Sequence, residues 1–429
     1  MPLPRGYVAD GNFDSDCTTL RQHAEGPEAE KLQFCEDATF WEHYDADGIV
    51  IERPVILSCD AGRRKWNTVM GPLHDADPKG SLWLYVPERP LSHHKSALPS
   101  HTRAHPIILA NYPSNHEFHP LGAAIWPSHG GNSSNLFVVN HARQQTVIEQ
   151  FVLSPNKPTE AVHIQTITSP YFLSPNGLAL TSPTSFYVTN DHLMTRRLPG
   201  LLGHILPEIE STLALPLAFV LHVTLNDFSP NRDSIANIQF SKVFTSFPNG
   251  IALSPSGDEV AIACSPMGQV GIFRRDPVTN ALTPKYTVSV PFLADNVHYT
   301  KEHDRPPSLI VAGHPNLPGL KKIAAGETGA VAPSWVVAVV PKAEDNRSPQ
   351  TTFDSDAPTS AATRVAKDGV EWTLKTLFQS GGDEDNGGFG VSSTGLVDPD
   401  SGALYVTGLY AREGAIMCKR PDLRRSKEA

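Results

Sequence analysis

Three asparagines occupy matching positions at the starts of apolar segments, and side chains of this type can bind a hard cation. Asn176 and Asn249 each precede a glycine and a short apolar run, and Asn296 follows Asp295 before another apolar run. If these segments are repeated strands, the polar side chains at their starts converge on one point. Convergent carboxylate and amide oxygens are the ligands that calcium requires in proteins. The pattern therefore predicts both a repeat architecture and an oxygen-rich cation site.

Each segment belongs to a unit in which a loop joins two short apolar strands. The loops carry Pro, Ser, Asp or Gly, which is typical of turns. Six such units begin at Gly48, Gly122, Asn176, Asn249, Asn296 and Thr394. Six radial sheets of about four strands make an all-β, six-bladed β-propeller, whose innermost strands line a central channel. A pair of β-sandwiches is the competing architecture, but it does not predict the recurring polar residue.

The composition fits a folded all-β protein and argues against nucleic-acid binding. The chain has 429 residues, 40% of them hydrophobic, with 38 Pro, 31 Gly and a formal net charge of -10. This proline and glycine content favours short strands and turns, and no basic stripe is present to neutralise phosphates. No segment is apolar enough to span a bilayer, and the first residues lack the apolar core of a secretion signal. We therefore expect a cytosolic protein or a chain that begins after a removed leader.

The repeats predict one propeller domain over residues 17–418, preceded by an N-terminal segment (1–16) and followed by a basic C-terminal tail (419–429). A histidine-rich insertion, a small apolar and partly helical insertion, and a polar loop interrupt the pattern. These insertions cover residues 87–118, 197–223 and 342–369. The histidines of the first insertion have no metal-ligand spacing, so an exposed linker is the favoured interpretation.

The five cysteines leave the redox state open. None lies in a CxxC pair, so the sequence does not support a zinc or thioredoxin-like site. Cys17 and Cys418 lie near opposite ends of the chain and suggest a bridge, whereas buried thiols in a reducing compartment are the alternative. Sequons at Asn132 and Asn346 permit glycosylation.

Several short motifs, taken together and in order, resemble those of the serum paraoxonase/arylesterase family. The resemblance extends from about Cys17 to Cys418. The motifs are Cys35-Glu36-Asp37, Val138-Val-Asn-His141, Thr189-Asn-Asp191-His192, Phe247-Pro-Asn249-Gly, Leu293-Ala-Asp295-Asn296 and Gly313-His314-Pro-Asn. The resemblance implies a six-bladed propeller that hydrolyses lactones and esters with calcium.

The resemblance also implies which residues bind calcium. The ligands of the catalytic ion correspond to Glu36, Asn176, Asn249, Asp295 and Asn296. A second, structural ion would use Asp37 and the carbonyl of Ala123, with Asp191 and His192 nearby and His314 next to the catalytic site. The family has an aspartate where this chain has Gly177, so the second ion is not firmly expected.

The general base is the second point at which this chain departs from the family pattern. The family has a histidine at the position of Leu121, where it forms a dyad with the equivalent of His141. We therefore rank Asp295, His141 and His119 as candidate bases, in that order. His119 lies two residues before Leu121, which places both on one face of a strand. The substitution predicts a shifted substrate preference and retained hydrolysis.

In the family a disulfide joins the first and last strands, and the resemblance assigns this role to Cys17 and Cys418. Cys35 and Cys264 are then expected to be buried thiols. A disulfide favours a secreted or secretory-pathway protein, although a cytoplasmic location stays open.

Three functions remain under consideration. The first is a calcium-dependent lactonase or arylesterase in which the metal polarises the carbonyl and stabilises the oxyanion. The second is a non-catalytic, calcium-stabilised propeller that binds a protein or a lipid. Chemistry of the strictosidine synthase or gluconolactonase type is the third. The apolar residues of 197–223 also suggest a lid or a peripheral membrane contact, and a helix packed on the propeller is the alternative.

Overall fold

In a computed structural model of the chain, the fold is a six-bladed β-propeller, as predicted. The structure describes residues 17–22, 31–87, 103–227, 233–300, 307–341 and 372–419. Among these residues, no helix is long and apolar enough to cross a membrane.

The secondary-structure elements are numbered here in chain order. The strands are β1 (Cys17–Thr19), β2 (Cys35–Phe40), β3 (His43–Tyr44), β4 (Val50–Glu52), β5 (Val55–Cys59), β6 (Ser81–Tyr85), β7 (Ala104–Pro106), β8 (Ile108–Ala110), β9 (Pro120–Ile125), β10 (Ser128–His129), β11 (Ser134–Asn140), β12 (Val147–Ser154), β13 (Lys157–Ile167), β14 (Pro175–Ser182), β15 (Ser185–Asn190), β16 (Ala218–Leu225), β17 (Ile235–Thr245), β18 (Pro248–Leu253), β19 (Glu259–Cys264), β20 (Gln269–Arg275), β21 (Leu282–Ser289), β22 (Leu293–Tyr299), β23 (Leu309–His314), β24 (Ser334–Pro341), β25 (Trp372–Ser380), β26 (Ser392–Val397), β27 (Leu404–Gly408) and β28 (Ala415–Cys418). The α-helices are α1 (Leu202–Thr212) and α2 (Leu317–Ala324), and short 3-10 turns cover Ser265–Met267 and Glu384–Asn386.

The strands form six blades around a closed ring. The blades, in order, are β2-β5-β6-β7, β9-β11-β12-β13 with β8 added at the outer edge, β14 to β17, β18 to β21, β22 to β25, and β26-β27-β28-β1. The innermost strands contact one another in blade order, and β26 contacts β2. A small sheet of β10, β3 and β4 lies outside the blades.

The hydrophobic core lies between the blades, because each sheet is covered on both faces by its neighbours. Every residue of β5 and of β6 is buried. Phe137 of blade 2 packs against Phe186 of blade 3 with their ring centroids 5.0 Å apart. Strands buried on both faces are apolar almost throughout, which explains why the apolar runs were recognisable in the sequence.

The two chain ends meet in blade 6, which closes the ring. Strand β1 pairs with β28, and the Cys17–Cys418 disulfide joins them, as predicted. The prediction that Cys35 is a thiol is wrong: Cys35 opens β2 opposite Cys59 at the end of β5, and the two form a second disulfide. Cys264 is a free thiol whose pKa burial raises to about 12.

Both helices lie at the end of the channel where the innermost strands begin. Strand direction alternates within a blade, so the connection from the second to the third strand returns to this end. Helix α1 forms part of that connection in blade 3, and α2 forms part of it in blade 5. Lys321 Nζ of α2 lies 2.6 Å from Glu208 Oε2 of α1. We call this end the channel mouth.

Some predicted boundaries need correction. The first unit does not begin at Gly48, because β2 is the innermost strand of blade 1 and β4 belongs to the small outer sheet. The insertion 197–223 is partly helical, as predicted, but it ends earlier than predicted because β16 of blade 3 begins at Ala218. The predicted linker 87–118 contains β7 and β8. Residues 1–16 and 342–369 lie outside the described residues.

Candidate metal centre

Four predicted cation ligands from three different blades meet at the channel mouth. Asn296 Nδ2 donates to Glu36 Oε1 at 2.9 Å, which joins blade 5 to blade 1. Asn249 Nδ2 donates to Asp295 Oδ1 at 2.5 Å, which joins blade 4 to blade 5. All four residues are buried. The fold therefore assembles residues that are up to 260 positions apart in sequence.

Asn176 is connected to this group through the backbone. Thr189 Oγ1 accepts the N–H of Gly177 at 2.8 Å and donates to the carbonyl of Asn249 at 2.7 Å. A Cβ at Gly177 would lie only 3.0 Å from the carbonyl oxygen of Asn249, so glycine permits this close approach of blades 3 and 4. We refer to Glu36, Asn176, Asn249, Asp295 and Asn296 as the open cluster.

Three buried oxygens of the open cluster have no hydrogen-bond partner among the described residues. They are Glu36 Oε2, Asn176 Oδ1 and Asn249 Oδ1. Buried oxygens without partners are rare and call for a ligand, a water molecule or an ion. Burial, followed by the charges of Asp37 and Asp295, raises the pKa of Glu36 well above its usual range. A cation would relieve both the missing contacts and the repulsion, so the donor set fits one.

Amide side chains supply three of the five candidate ligands in the open cluster. No group of three or more His, Cys, Asp or Glu side chains within the described ranges is arranged to bind a metal. Two carboxylates and three amides instead supply hard, neutral and anionic oxygens, which is the ligand chemistry of calcium and not that of zinc.

Asp191 and His192, which were predicted to lie near the second ion, lie next to Asn176 of the open cluster. Asn176 Nδ2 donates to Asp191 Oδ2 at 3.0 Å, which leaves Oδ1 of the same amide free. His192 Nδ1 lies 3.1 Å from the other oxygen of Asp191, and its Nε2 lies 2.6 Å from Ser211 Oγ on α1. A chain of polar contacts thus connects the open cluster to helix α1.

His314 lies next to Asp295. Its Nε2 donates to Asp295 Oδ2 at 2.8 Å, while Asn249 occupies Oδ1 of the same carboxylate. Both contacts fix the orientation of the carboxylate. Outer contacts of this kind commonly orient metal ligands.

Asp37 differs from its neighbour Glu36, because the protein itself satisfies its oxygens. Asp37 Oδ1 accepts the N–H of Ala38 at 2.8 Å and lies 3.0 Å from Thr394 Oγ1. Asp37 Oδ2 accepts the N–H of Ala123 at 2.9 Å. We call Asp37, Ala38, Ala123 and Thr394 the closed cluster. Ala123 was predicted to offer its carbonyl to a second ion, and the contact seen here uses its N–H.

His141 is held by hydrogen bonds at both ring nitrogens. Its Nε2 donates to the carbonyl of Pro175 at 2.9 Å, so its Nδ1 accepts from Thr68 Oγ1 at 2.5 Å. Burial lowers its pKa to about 4. A histidine with both nitrogens engaged has no lone pair for a substrate proton, so this setting favours a structural role.

His119 has one engaged and one free ring nitrogen. Its Nδ1 lies 3.0 Å from Asp60 Oδ2, and its Nε2 has no partner in the described part of the chain. Leu121, where the family pattern has a histidine, packs in the core between blades 2 and 3.

Asp60 and Thr394 also contact the site residues, although neither was predicted from the sequence to do so. Thr394 precedes Gly395 in the sixth repeat, as Asn176 and Asn249 precede their glycines. That shared position was a usable signal. Asp60 follows β5 in a loop without a repeat counterpart, and only the fold shows that it reaches His119.

Helix α1 exposes apolar side chains at the channel mouth. Leu202 of α1 and the flanking residues Leu201 and Leu213 are 53%, 70% and 65% exposed, and Phe244, near the end of β17, is 77% exposed. Glu210 attaches the inner side of the helix, because its carboxylate accepts the N–H groups of residues 193 and 194 at 2.8 Å.

Comparison with known proteins identifies relatives. Residues 90–368 match the family model described as arylesterase. Serum paraoxonase/arylesterase 1 of Mus musculus is 27% identical over 190 residues, which are 44% of this chain and 48% of that protein. Serum paraoxonase/arylesterase 2 of Gallus gallus is 30% identical over 162 residues, or 38% of this chain and 40% of that protein. The chain thus matches about half the length, or less, of these curated relatives.

Solved structures of similar shape include a putative oxidoreductase (glucose dehydrogenase) from Thermus thermophilus, with a TM-score of 0.41, 15% identity and coverage of 94% of this chain and 98% of that one. A periplasmic gluconolactonase from Pseudomonas aeruginosa has a TM-score of 0.36 and 11% identity, covering 94% of this chain and 88% of that one.

Because the family model matches more than half of the sequence, the chain belongs to the arylesterase family.

Proposed function

We propose that this protein is a calcium-dependent hydrolase of carboxylic esters, acting on lactones or aryl esters. One observation carries the proposal: three buried oxygens without partners belong to a cluster of two carboxylates and three amides at the channel mouth. Membership of the arylesterase family supports a hydrolase of this class.

The residues that would hold the ion are the five of the open cluster. When bound, calcium supplies a positive charge that polarises an ester carbonyl and stabilises its developing oxyanion. Asp191 and His314 orient the amide of Asn176 and the carboxylate of Asp295 by the hydrogen bonds described above. Their contribution is to keep oxygens in place before the substrate arrives, which reduces reorganisation during the reaction.

We infer that one calcium ion is bound and that the second is absent. The closed cluster satisfies both oxygens of Asp37 with backbone N–H groups and the hydroxyl of Thr394. Gly177 supplies no carboxylate to this neighbourhood. An ion at this position would have to displace hydrogen bonds that the fold already makes.

We also propose that the protein works in an oxidising, secretory environment. Two disulfide bonds support this location. Asn132, the first residue of one sequon, is exposed in the turn before β11 and is accessible to glycosylation. The sequon at Asn346 lies outside the described residues.

A peripheral lipid contact is a second proposal, and it follows from the exposed leucines of helix α1. An amphipathic helix that lies in the membrane interface buries such a face. We expect co-flotation with phosphatidylcholine vesicles, and we expect Leu201→Glu with Leu213→Glu to abolish it. Equal flotation of the double variant would contradict the proposal.

The principal test measures hydrolysis of phenyl acetate and of aliphatic lactones with calcium, with a chelator, and after calcium is restored. We expect the rate to fall at least about 100-fold in chelator and to return with calcium, because the oxyanion loses its main electrostatic support. Asn249→Ala should reproduce the loss. Asn237→Ala, an exposed amide on β17, is the matched control and should retain full activity.

Two results would contradict the proposal. Hydrolysis that is indifferent to the chelator would exclude the role of calcium. Calcium-dependent thermal stabilisation without hydrolysis of any ester or lactone would instead favour the non-catalytic propeller.

A further inference from the structure

His119 and Asp60 form a buried pair at the channel mouth. Their side chains are in contact through Nδ1 and Oδ2 at 3.0 Å, and the residues are only 2% and 1% exposed. A histidine next to a carboxylate donates its Nδ1–H to that oxygen, which places the lone pair on Nε2. This arrangement orients the ring and stabilises the imidazolium that forms when Nε2 takes up a proton.

The surrounding contacts hold both partners. Asp60 Oδ1 accepts the N–H of Gly62 at 2.8 Å, which fixes the carboxylate. The N–H of His119 donates to Asn140 Oδ1 at 2.8 Å, and its carbonyl accepts the N–H of His141 at 3.0 Å. The ring of Trp66 lies over the imidazole with the centroids 5.8 Å apart. The pair is therefore positioned before any substrate binds.

The Nε2 atom of His119 is buried and has no partner among the residues that the structure describes, a state that it shares with Nε2 of His43 and Nδ1 of His314. Buried polar atoms of this kind are explained by a catalytic role or by a bound water molecule, and a base that activates water satisfies both.

His119 lies at the same end of the channel as the open cluster. It directly precedes β9, an innermost strand, and all these strands begin at the channel mouth. Arg63 connects the two sites, since its Nη2 donates to the carbonyl of Pro120 at 2.9 Å and its Nε to that of Phe34 at 3.3 Å. Pro120 follows His119, and Phe34 lies two residues before Glu36.

We propose that His119 is the general base of the hydrolytic reaction and that Asp60 is its positioning residue. The inference rests on the proposed hydrolase function and assigns to this pair the proton transfer that a histidine at position 121 would otherwise perform. Leu121 packs in the core and His141 has no free nitrogen, so neither supplies a base.

The proton transfers balance without a further reactant. A water oxygen bonds to the carbonyl carbon while one water proton passes to His119 Nε2, and the carbonyl π electrons move to the carbonyl oxygen. When the adduct collapses, the bond to the leaving oxygen breaks, and that oxygen takes the proton from Nε2. One ester and one water molecule become one carboxylic acid and one alcohol or phenol, and one lactone and one water molecule become one hydroxy acid.

The test compares His119→Gln and Asp60→Asn with the wild type on the ester or lactone hydrolysed best, in calcium. We expect His119→Gln to lower kcat at least about 100-fold with KM changed less than about threefold. Asp60→Asn should lower kcat by a similar factor, because an amide favours the wrong tautomer of His119. The control His222→Gln alters a buried histidine of blade 3, outside the channel, and should leave kcat unchanged.

Two further measurements distinguish catalysis from folding. The calcium-dependent rise in Tm should be the same in His119→Gln as in the wild type. Nitrogen NMR of the histidine rings should show protonated Nδ1 for His119 in the wild type and a mixture of tautomers in Asp60→Asn.

A wild-type rate in His119→Gln would overturn the inference and leave the proposed function intact. Loss of activity in His314→Gln with none in His119→Gln would also overturn it, because the base would then be the histidine next to Asp295. A wild type that hydrolyses nothing in calcium would reject the proposed function, and the role of His119 with it.

Discussion

Glu36 and Asp37 are adjacent acidic residues on one strand, yet their surroundings differ. Both are buried, with 2% and 6% exposure. Asp37 receives two backbone N–H groups and lies next to the hydroxyl of Thr394. Glu36 receives one side-chain donor, Asn296, and one of its oxygens has no partner within the described residues. One carboxylate therefore stabilises the fold, and the other is available to a cation.

The two histidines of blade 2 show the same division. His141 has partners at both ring nitrogens, whereas within the described part of the chain His119 has a partner only at Nδ1. Glu36 and Asp37 are both carboxylic acids, and His119 and His141 are both histidines. Within each pair the residues differ in how many hydrogen-bond donors and acceptors lie next to them. The open cluster and His119, to which we assign calcium binding and proton transfer, contain buried atoms that have no partner among the described residues.

Glu36→Gln should give the largest effect. At calcium about 100-fold above its dissociation constant, we expect the variant to lose up to about 3 kcal/mol of calcium-linked stability. In chelator the variant should be at least as stable as the wild type, because the substitution removes a buried carboxyl group. Burial and the charges of Asp37 and Asp295 disfavour the ionised form of this group and raise its pKa. Urea unfolding under both conditions measures this. Equal losses in calcium and in chelator would remove the distinction between the clusters.

Asp37→Asn should destabilise the protein by about 2 kcal/mol, since it removes charge-assisted hydrogen bonds from the closed cluster. The loss should be the same with calcium and with chelator. Asp47→Asn, an exposed aspartate in the β3–β4 turn, is the control and should change stability little. If Asp37→Asn abolished the calcium-linked stabilisation, the closed cluster would be a cation site as well.

His141 should make stability depend on pH. Its folded-state pKa of about 4 lies below the usual value of 6.5, because burial disfavours the charged ring. The unfolded chain therefore binds a proton that the folded protein does not, and stability falls as pH decreases from 6.5 towards 4. Between pH 7 and pH 5 this amounts to about 2 kcal/mol. The stability difference between wild type and His141→Gln should shrink accordingly, and a constant difference would contradict the assignment.

Asp191→Ala should have the smallest effect. Its carboxylate orients the amide of Asn176 without reaching the proposed ion, so we expect calcium affinity to fall about tenfold. Calorimetric titration with calcium measures this. A complete loss of binding would show that Asp191 is itself a ligand.

Much of the fold was predictable because the propeller repeats its local pattern. The starts of β14 and β18 carry the Asn-Gly signal, and both are innermost strands. The first blade was misassigned because the apolar run after Gly48 looked like a core strand, although Ile49 and Ile51 are 62% and 44% exposed. Strand β2 contains the acidic residues Glu36 and Asp37 near its start, so its sequence looked less like a core strand than the sequence of β4, which lies outside the blades.

The sequence indicated which residues form the candidate site, but it did not indicate which of their polar atoms have hydrogen-bond partners. The repeated strand starts identify Asn176, Asn249 and Asn296, because every inner strand begins at the same end of the channel, and the family resemblance adds Glu36 and Asp295. Hydrogen bonds between distant residues decide which atoms are satisfied. Thr394 reaches Asp37 across 357 positions, and Asp60 reaches His119 across 59.

The sequence by itself thus determined the propeller, which follows from a pattern repeated along the chain, and its resemblance to the arylesterase family predicted the bridge between the chain ends and the residues that we propose bind calcium. Only the tertiary structure decided that Glu36 is open, that Asp37 is closed and that His119 has a carboxylate partner. The physical reason is that a buried polar atom is satisfied or left available by the groups packed around it, and those groups come from other blades and loops.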